Sequence, residues 1–539
     1  MRQLTRFTQS SALWLAAALV LMLLRYGYEP LTGSNHCYQY IVVHKIAFPH
    51  LYPHDAFVEI TWRGYASVLW YLIGYAVKWT GIAEAALDIS LFIANRLLII
   101  LAFAWIAQAI FSNERFASCA AVALLLIGIG SPVGGGQPIR SSMEQTGFAV
   151  AFGLMSLYAL LQRRPALMSL TLGLCLNFNT MYGIFVSSYL MASIFLSVDY
   201  RIDWRRWLLA VLVGIGFGAP GIWLTISAAR RSVGEMTAVW QASELAYPYH
   251  FYPFALRDAM SLEKHVYFIV LAILALLLLQ AHSKSDFTRR HLLLWFGVMA
   301  GWYSMSWVAP LTGALMAIRI QPIRGIDYGY IIFSIYVFYT MVAHLARLVV
   351  TNRFALPSAT ILPVILLWGA GLWATGQASI KRLYREGSLI RIASPACSKA
   401  SEWARRNTSI DAVFLVPIGM DEGWHNFRHL SKRNVFVTWK DGCAWIWASA
   451  YAPEWLSRIE ALGFFEIAQL NPSRYARGRW VDAYFHNNQV SLRLTESEVI
   501  LLAKRFKIDY WVAYAHQKTT LPVVYQEANY KIVRLGGNQ

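Results

Sequence analysis

Long apolar stretches recur along the chain up to about residue 376 and then stop. A helix needs about 20 largely apolar residues to cross roughly 30 Å of hydrocarbon, so each stretch predicts a membrane span. The pattern therefore predicts a mainly α, polytopic membrane protein with about eleven transmembrane helices. The predicted spans are 11–27, 86–111, 116–131, 146–161, 166–179, 180–198, 207–226, 265–281, 291–309, 328–348 and 358–376.

The apolar segment 64–81 has two interpretations, a twelfth span or a helix lying in the membrane interface, which its aromatic residues and Lys78 also suit. Basic loops favour the interface, because cytoplasmic loops carry the excess of Lys and Arg. If 64–81 does not span, four basic clusters fall on the same side as the N-terminus. These clusters are 162–164, 201–206, 284–290 and 347–353.

We therefore predict an inner (plasma) membrane protein with a cytoplasmic N-terminus and an extracytoplasmic C-terminal domain. The N-terminal residues resemble a signal peptide in charge and apolar length but lack a small-residue cleavage site, so we expect an uncleaved first helix. The predicted division is a transmembrane domain, 1–378, with an outer loop at 28–85, and an extracytoplasmic α/β domain, 379–539.

Several local signals predict the α/β character of the C-terminal domain. Ser394 and Pro395 provide an N-cap and a first-turn proline for a helix that continues through Arg406. The run 412–416 is short and apolar, as in a buried strand. Thr495 and Glu498 have the spacing of a capping box.

Composition agrees with the membrane assignment, since 57% of residues are hydrophobic, 14% are charged and the mean hydropathy is +0.43. The net charge of +18 could suggest a nucleic-acid partner. Many of the Lys and Arg residues lie in short loops between spans, however, where they report topology and suit anionic lipid headgroups. We predict membrane lipids as partners and no nucleic acid.

The polar segment that follows the first span, 28–63, concentrates histidines and carboxylates in a chain that is otherwise poor in acids. Asp55 is our candidate general base, because a carboxylate beside histidines and aromatic residues can have its pKa tuned for proton transfer. The alternative is that Asp55 is only the N-cap of a helix, and the two roles can also coexist. The other titratable residues of the segment are Glu29, His36, His44, His50, His54 and Glu59.

Imidazole and carboxylate groups are ordinary metal ligands, but the spacing of His44, His50 and His54 matches no compact motif. We predict no cofactor, with a divalent metal as the alternative. Cys37, Cys397 and Cys443 fall in polar segments, where they form either one disulfide or three unpaired thiols.

Two pairs of charged residues lie in predicted outer loops. Arg140 and Glu144 belong to a glycine-rich loop that allows close approach to a ligand, or is a flexible connector. Arg319 and Arg324 can hold a phosphate with two-pronged guanidinium contacts. Their alternative role is to reach lipid headgroups from a helix end.

Two aromatic loops complete the candidates. His250 lies in the segment 247–258, whose aromatic faces suit either sugar stacking or the membrane interface. Arg428 and Lys440 belong to a basic, tryptophan-bearing loop, 421–440. That loop suits an anionic lipid-linked ligand, or is an ordinary solvated loop.

The chain resembles the GT-C superfamily of membrane glycosyltransferases. The matching features are a first helix leading into a long outer loop with an acid, Asp55, an interfacial helix at 64–81, and an odd number of spans before an outer α/β domain. The stretch SEWARRNTSIDAVFLVP, 401–417, is similar to the W-x-x-x-N-T-x-x-D-A-x-x-L pattern of such proteins. The chain departs from them in lacking an acidic pair in the outer loop and a Trp-Trp-Asp motif in the C-terminal domain.

The resemblance implies an inverting transfer of a sugar from a polyprenyl-(pyro)phosphate donor to an envelope glycan or lipid acceptor at the outer leaflet. Asp55 would deprotonate the acceptor, and the donor phosphate would be held by Arg319, Arg324 and Lys440. The residues expected at the acceptor or substrate are Glu29, His36, His54, Glu59, Arg140, Glu144, His250 and Arg428. The alternatives are a transporter or flippase for lipid-linked saccharides and a non-catalytic assembly factor.

Overall fold

The computed structural model describes residues 11–33, 35–111, 133, 139–231, 236–246, 259–282, 286–312, 315–351, 388–390, 395–419, 423–464, 490–527 and 529–536. The chain divides into two compact units. Unit 1 comprises Met1–Tyr28, Ile89–Gly221 and Asp258–Arg391, and unit 2 comprises Glu29–Asp88, Ile222–Arg257 and Ile392–Gln539. The predicted domain boundary at 378 lies outside the described residues and stays a prediction.

The regular secondary structure described in unit 1 is helical, apart from an isolated β-bridge between Tyr28 and Ile390. Nine of the eleven predicted spans coincide with helices, and the other two, 116–131 and 358–376, lie outside the described residues. The helices are Ser11–Tyr26, Glu84–Phe111 (which begins in unit 2), Gln145–Leu161, Pro165–Phe178, Thr180–Leu196, Trp204–Phe217, Ala219–Arg231 (which ends in unit 2), Ala259–His282, Asp286–Leu311, Leu315–Arg319 and Asp327–Thr351.

Two of the described helices, Glu84–Phe111 and Phe287–Leu311, are long and apolar enough to cross a membrane. A third candidate is the pair Trp204–Phe217 and Ala219–Arg230, which is bent by 62°. Several shorter apolar helices accompany them. The chain is a multi-pass membrane protein, as its hydropathy predicts.

The bend falls at the predicted span 207–226, and Asn177 bridges it. The Asn177 side-chain amide donates to the carbonyl of Phe217 at 3.0 Å, and its oxygen accepts from the backbone N–H of Gly221, also at 3.0 Å. These are backbone groups that the break deprives of helical partners. A Cβ atom at residue 221 would lie 2.4 Å from the carbonyl oxygen of Leu176, so only glycine allows this approach.

Unit 2 combines helices with a small sheet, which confirms the predicted α/β character of the C-terminal residues. Its further helices are His36–Ala47, Ala56–Thr61, Val68–Thr80, Met236–Leu245, Pro395–Asn407, Phe427–Ser431, Ala452–Ala461 and Glu496–Phe506. The strands are β1 (Val413–Leu415), β2 (Asn434–Val435), β3 (Tyr510–Tyr514), β4 (Val523–Glu527) and β5 (Tyr530–Arg534).

The sheet order is β2-β1-β3-β5-β4. Strand β1 is parallel to β2 and β3, and β5 is antiparallel to β3 and β4. Phe414, Val512 and Ile532 pack against the helix Pro395–Asn407 in a hydrophobic core. The predicted capping box is present, since the Thr495 hydroxyl accepts from the N–H of Glu498 and the Glu498 carboxylate accepts from the N–H of Thr495.

The stretch Glu29–Asp88, which contains nearly all of the polar segment 28–63, is part of unit 2. Its helix Val68–Thr80 buries Trp70, Ile73 and Val77 on one face. The opposite face exposes Leu72, Tyr75 and Trp79, and the helix ends at Gly81, whose φ is +66°. This amphipathic helix has the form that an interfacial position requires, which stays a prediction.

Candidate functional site

Asp55 is buried within unit 2, with 1% of its surface exposed. One carboxylate oxygen accepts from the backbone N–H of Val58 at 3.1 Å and so caps the helix Ala56–Thr61. The other oxygen accepts from Arg428 Nε at 2.7 Å and from the N–H of Val435 at 2.8 Å. The capping interpretation of Asp55 is therefore confirmed.

Arg428 joins Asp55 to a second carboxylate. Its two terminal nitrogens donate to the two oxygens of Asp441 at 2.9 and 2.8 Å, a two-pronged contact. The guanidinium also lies 4.6 Å from the centre of the Phe57 ring. Burial alone would lower the pKa of Arg428, but the two carboxylates outweigh it and raise that pKa well above its usual value.

This geometry gives Asp55 and Arg428 a structural task in the observed conformation. Both oxygens of Asp55 are engaged by donors, and both side chains are fully enclosed. A base must come within hydrogen-bond reach of the proton that it removes. The catalytic role of Asp55 and the ligand role of Arg428 stay predictions, and each would require this network to open.

A cleft of about 820 Å³ opens elsewhere in unit 2. The segments around it are the ends of the helices His36–Ala47 and Val68–Thr80, the start of Glu84–Phe111, and the helices Pro395–Asn407 and Phe427–Ser431. The titratable residues that line it are Lys78, Glu84, Glu402, Arg405, His429 and Lys432. Three basic side chains, those of Lys78, Arg405 and Lys432, thus line one cavity. Its volume is typical of small-molecule binding sites.

Glu84 lies at the centre of the polar contacts of this cleft. Its Oε1 accepts from Lys432 Nζ at 2.9 Å, and its Oε2 lies 3.1 Å from His44 Nε2. On the far side of the imidazole, His44 Nδ1 lies 2.6 Å from the Tyr52 hydroxyl. Glu84 is 18% exposed and His44 is completely buried, so the chain of contacts runs from the cleft into the interior.

Burial lowers the pKa of His44, although the contact with Glu84 opposes the shift. A neutral imidazole has one donor and one acceptor nitrogen. Because Glu84 can only accept when ionised, Nε2 carries the proton and donates to it, and Nδ1 accepts from Tyr52. The hydrogen bonds therefore run in one direction: the Tyr52 hydroxyl donates to His44, and His44 donates to the Glu84 carboxylate.

Backbone strain gathers around the same cleft. Six non-glycine residues in the described part of the chain have positive φ, and Leu31, Tyr52 and Lys432 are three of them, with φ of 52°, 59° and 58°. Left-handed backbone costs an ordinary side chain about 1 to 3 kcal/mol and persists where the surroundings impose it. Tyr52 contacts His44 through its hydroxyl, and Lys432, which is the left-handed C-cap residue of the helix Phe427–Ser431, contacts Glu84.

The other predicted residues of the polar segment lie in different environments. His36 accepts a hydrogen bond from the N–H of Gly33 at Nδ1, 3.1 Å away, and its Nε2 lies 3.8 Å from Asp88. Glu29 is buried, whereas His54 and Glu59 are exposed. Their substrate roles stay predictions.

Lys440 is also buried, and its ammonium lies 5.6 Å from the centre of the Tyr38 ring. The Tyr38 hydroxyl donates to the Lys440 carbonyl at 2.7 Å. His250 lies outside the described residues.

In unit 1, Arg140 and Glu144 form an ion pair at 3.2 Å, and Arg96 donates to the carbonyl of Arg140. Arg319 ends the short helix Leu315–Arg319, and Arg324 lies in the following turn. The ligand-binding roles of these four residues stay predictions.

Gly325, which follows Arg324, is closely packed inside unit 1. A Cβ atom at this position would lie 2.4 Å from the Trp302 indole. The carbonyl of Gly325 accepts from the Tyr189 hydroxyl at 2.9 Å. The glycine is needed for packing inside unit 1.

Glu84, Arg405 and Lys432 were not among the residues predicted from sequence. Glu84 belongs to no motif, whereas Arg405 occupies a variable position of the stretch 401–417 and Lys432 lies in the basic loop 421–440. Glu84 precedes Lys432 by 348 residues. Within the described ranges, no group of three or more His, Cys, Asp or Glu side chains is arranged to hold a metal ion. The three cysteines considered for a disulfide, Cys37, Cys397 and Cys443, are buried free thiols.

Comparison with known proteins gives distant similarities. Residues 395–462 match a family described as a domain of unknown function, DUF6798. No curated protein matches the chain.

Among solved structures, the archaeal oligosaccharyltransferase AglB from Archaeoglobus fulgidus, in complex with an inhibitory peptide and a dolichol-phosphate, is 12% identical. The match covers 94% of this chain and 70% of AglB, with a TM-score of 0.48. ArnT from Cupriavidus metallidurans in the apo state is 13% identical over 98% of both chains, with a TM-score of 0.38. Both neighbours are members of the GT-C superfamily that the sequence resembles.

Proposed function

We propose that this protein is a membrane glycosyltransferase that moves a sugar from a polyprenyl-(pyro)phosphate donor to a glycan or lipid acceptor. The observation that carries the proposal is the cleft of unit 2, where Lys78, Arg405 and Lys432 face one cavity beside an amphipathic helix. Such a site suits a ligand with an anionic head and an apolar tail.

In this reaction the basic side chains of the cleft would stabilise the charge of the leaving phosphate. When the bond between the sugar and the phosphate breaks, negative charge develops on the departing phosphate oxygen. Lysine and arginine side chains fixed around that oxygen stabilise the developing charge more than they stabilise the bound donor. The exposed side chains of Leu72, Tyr75 and Trp79 lie on the face of this helix opposite Val77, which lines the cleft, and offer the polyprenyl chain an apolar surface on the same helix.

Arg319, Arg324 and Lys440 remain our predicted alternative ligands of the donor phosphate. We also infer that unit 2 lies on the extracytoplasmic side, as the one-sided basic loops predict. The donor would then be used at the outer leaflet.

The test is sugar transfer by the purified full-length protein in proteoliposomes supplied with labelled polyprenyl-phosphate sugars and a lipid or glycan acceptor. We expect labelled product, and we expect Arg405→Ala and Lys432→Ala to weaken donor binding by roughly 10-fold each, the worth of a charge-assisted contact. Lys399→Ala is the matched control, because Lys399 lies on the same helix as Arg405 but pairs with Glu527.

Transfer that is unaffected by both cleft variants would show that the cleft does not hold the donor. A protein that moves lipid-linked saccharides across the bilayer without forming product would instead be the flippase of the alternative interpretation.

A further inference from the structure

We propose that Glu84 is the general base of the transfer reaction and that its ion pair with Lys432 restrains it until the donor phosphate enters the cleft. This inference rests on the proposed function and assigns a further residue to it. Glu84 faces the cleft and is held on two sides, by Lys432 at 2.9 Å and by His44 at 3.1 Å.

The two partners of Glu84, Lys432 and His44, differ in whether a ligand in the cleft can reach them. Lys432 is 24% exposed and lines the cleft, so an anionic ligand can compete with Glu84 for its ammonium group. His44 is completely buried and is held from behind by Tyr52 at 2.6 Å. A phosphate therefore draws Lys432 away, while His44 keeps the carboxylate in place.

The consequence is a base that becomes stronger when substrate binds. An ammonium group beside a carboxylate favours the ionised form and makes it a poorer proton acceptor. Burial raises the pKa of Glu84, but the contacts with His44 and, to a smaller extent, with Lys432 lower it to about 2. Once Lys432 is shared with the phosphate, its part of this lowering is lost, while His44 still holds Glu84 beside the cleft. His44 is a positioning residue in this scheme, because it acts through Glu84 and does not touch the substrate.

The reaction balances with these groups alone. The acceptor hydroxyl gives its proton to Glu84 as its oxygen forms a bond to the anomeric carbon of the sugar. The bond between that carbon and the phosphate oxygen breaks, and the electron pair leaves with the phosphate beside Lys432 and Arg405. Glu84 then releases the proton to water, so that one glycoside and one polyprenyl (pyro)phosphate result.

These contacts allow a test in which one substitution changes sugar transfer and donor binding in opposite directions. Glu84→Gln keeps the shape of the side chain and an oxygen that accepts from His44, but it removes the charge that holds Lys432. We expect transfer at saturating donor to fall by about 10²- to 10⁴-fold, the usual effect of losing a positioned base. Binding of a polyprenyl monophosphate in nanodiscs should become up to about 5-fold tighter, as loss of a partly exposed competing ion pair allows.

Glu84→Asp and Glu454→Gln are the controls. Aspartate keeps a carboxylate, so we expect it to retain more transfer than glutamine does, whereas a role in shape or packing would favour glutamine. Glu454 forms an ion pair with Arg458 in the same unit and does not line the cleft, so its substitution should leave binding and transfer at wild-type values.

Four results would overturn the inference. Transfer by Glu84→Gln within about 3-fold of wild type would remove Glu84 as the base while leaving the proposed function intact. Loss of donor binding together with transfer, or greater activity of the glutamine variant than of the aspartate variant, would show a structural role. Failure of the wild-type protein to transfer any supplied sugar would reject the proposed function itself.

Discussion

The charges of Asp55, Arg428 and Asp441 are among the most completely enclosed in unit 2. An ion pair in the interior loses the solvation of both members, so removing one partner leaves an uncompensated charge that has no water around it. The mutual dependence of these three side chains makes Asp55 a sensitive position for stability.

We expect Asp55→Asn to lower the free energy of unfolding by about 3 to 5 kcal/mol, because Arg428 keeps its charge and loses one of its two carboxylates. The measurement is thermal unfolding of the purified protein in detergent. Glu59→Gln is the control, since Glu59 is an exposed acid on the helix that Asp55 caps. An Asp55→Asn protein with wild-type stability and no transfer activity would return Asp55 to the catalytic role.

Arg319 and Arg324 can be tested by comparing two substitutions at each position. Lysine keeps the charge and reaches lipid headgroups as arginine does, but it cannot hold a phosphate with two parallel hydrogen bonds. If these residues bind the donor phosphate, Arg→Lys should weaken donor binding by a few kcal/mol at most with normal expression, and Arg→Ala should weaken it further. Full recovery of binding and turnover by lysine would assign them to the membrane surface.

Sequence reasoning at this scale identified the special position of Asp55 and both of its possible roles, because N-capping depends only on local order. The choice between the roles depends on Arg428, which is 373 residues away. No pattern near Asp55 reports such a partner. The same limit hid the pairing of Glu84 with Lys432.

Among the elements, the bend between the helices Trp204–Phe217 and Ala219–Arg231 is bridged by the side-chain amide of Asn177. Backbone groups freed by a break inside a membrane need a partner from the protein, because lipid offers none. Asn177 supplies both a donor and an acceptor.

We expect Asn177→Leu to destabilise the protein, because it removes the hydrogen bonds to the Phe217 carbonyl and to the Gly221 N–H. Each bond contributes about 0.5 to 1.5 kcal/mol. Thermal unfolding in detergent measures the loss. Asn177→Gln, which keeps the amide at a different reach, should recover part of the stability. Equal unfolding midpoints for the Asn177→Leu variant and wild type would show that water or lipid headgroups satisfy the break.

The helices of unit 1 were predictable, because runs of apolar residues report a membrane environment without any knowledge of partners. The helix His36–Ala47 was not predicted. Ten of its 12 residues are buried, including histidines and tyrosines, so the usual alternation between an apolar and a polar face is missing. Its surroundings are polar networks that only the folded unit creates.

For the whole molecule, buried neutral histidines should make stability depend on pH. Burial lowers the pKa of His44, and it lowers that of His429 to about 3. Burial, with Lys440 nearby, also holds the pKa of His425 well below its usual value. In the unfolded chain each imidazole titrates near a pKa of about 6.5.

The unfolded state therefore binds more protons than the folded state below pH ~6.5. Stability is fully present above that pH and falls as the pH drops below it, by at most about 1.4 kcal/mol per pH unit for each histidine that stays neutral in the folded protein; for His429 the fall continues towards pH 3. Unfolding midpoints should be level between about pH 7.5 and 6.5 and should fall between about pH 6.5 and 5. His429→Gln should make the slope shallower and the exposed His50→Gln should not; a flat profile for wild type would contradict the assignment.

Unit 2 is assembled from three stretches of chain, and this has a consequence for biosynthesis. At about 5 to 20 residues per second, the ribosome reaches Arg428 roughly 20 to 75 seconds after it has made Asp55, given their separation of 373 residues. During that interval the segment 29–88 has been made but the partners of Asp55 and Glu84 have not. The nascent chain must therefore keep the segment 29–88 from aggregating during this interval, before the rest of unit 2 has been made. We expect this segment to bind a chaperone that holds unfolded chains.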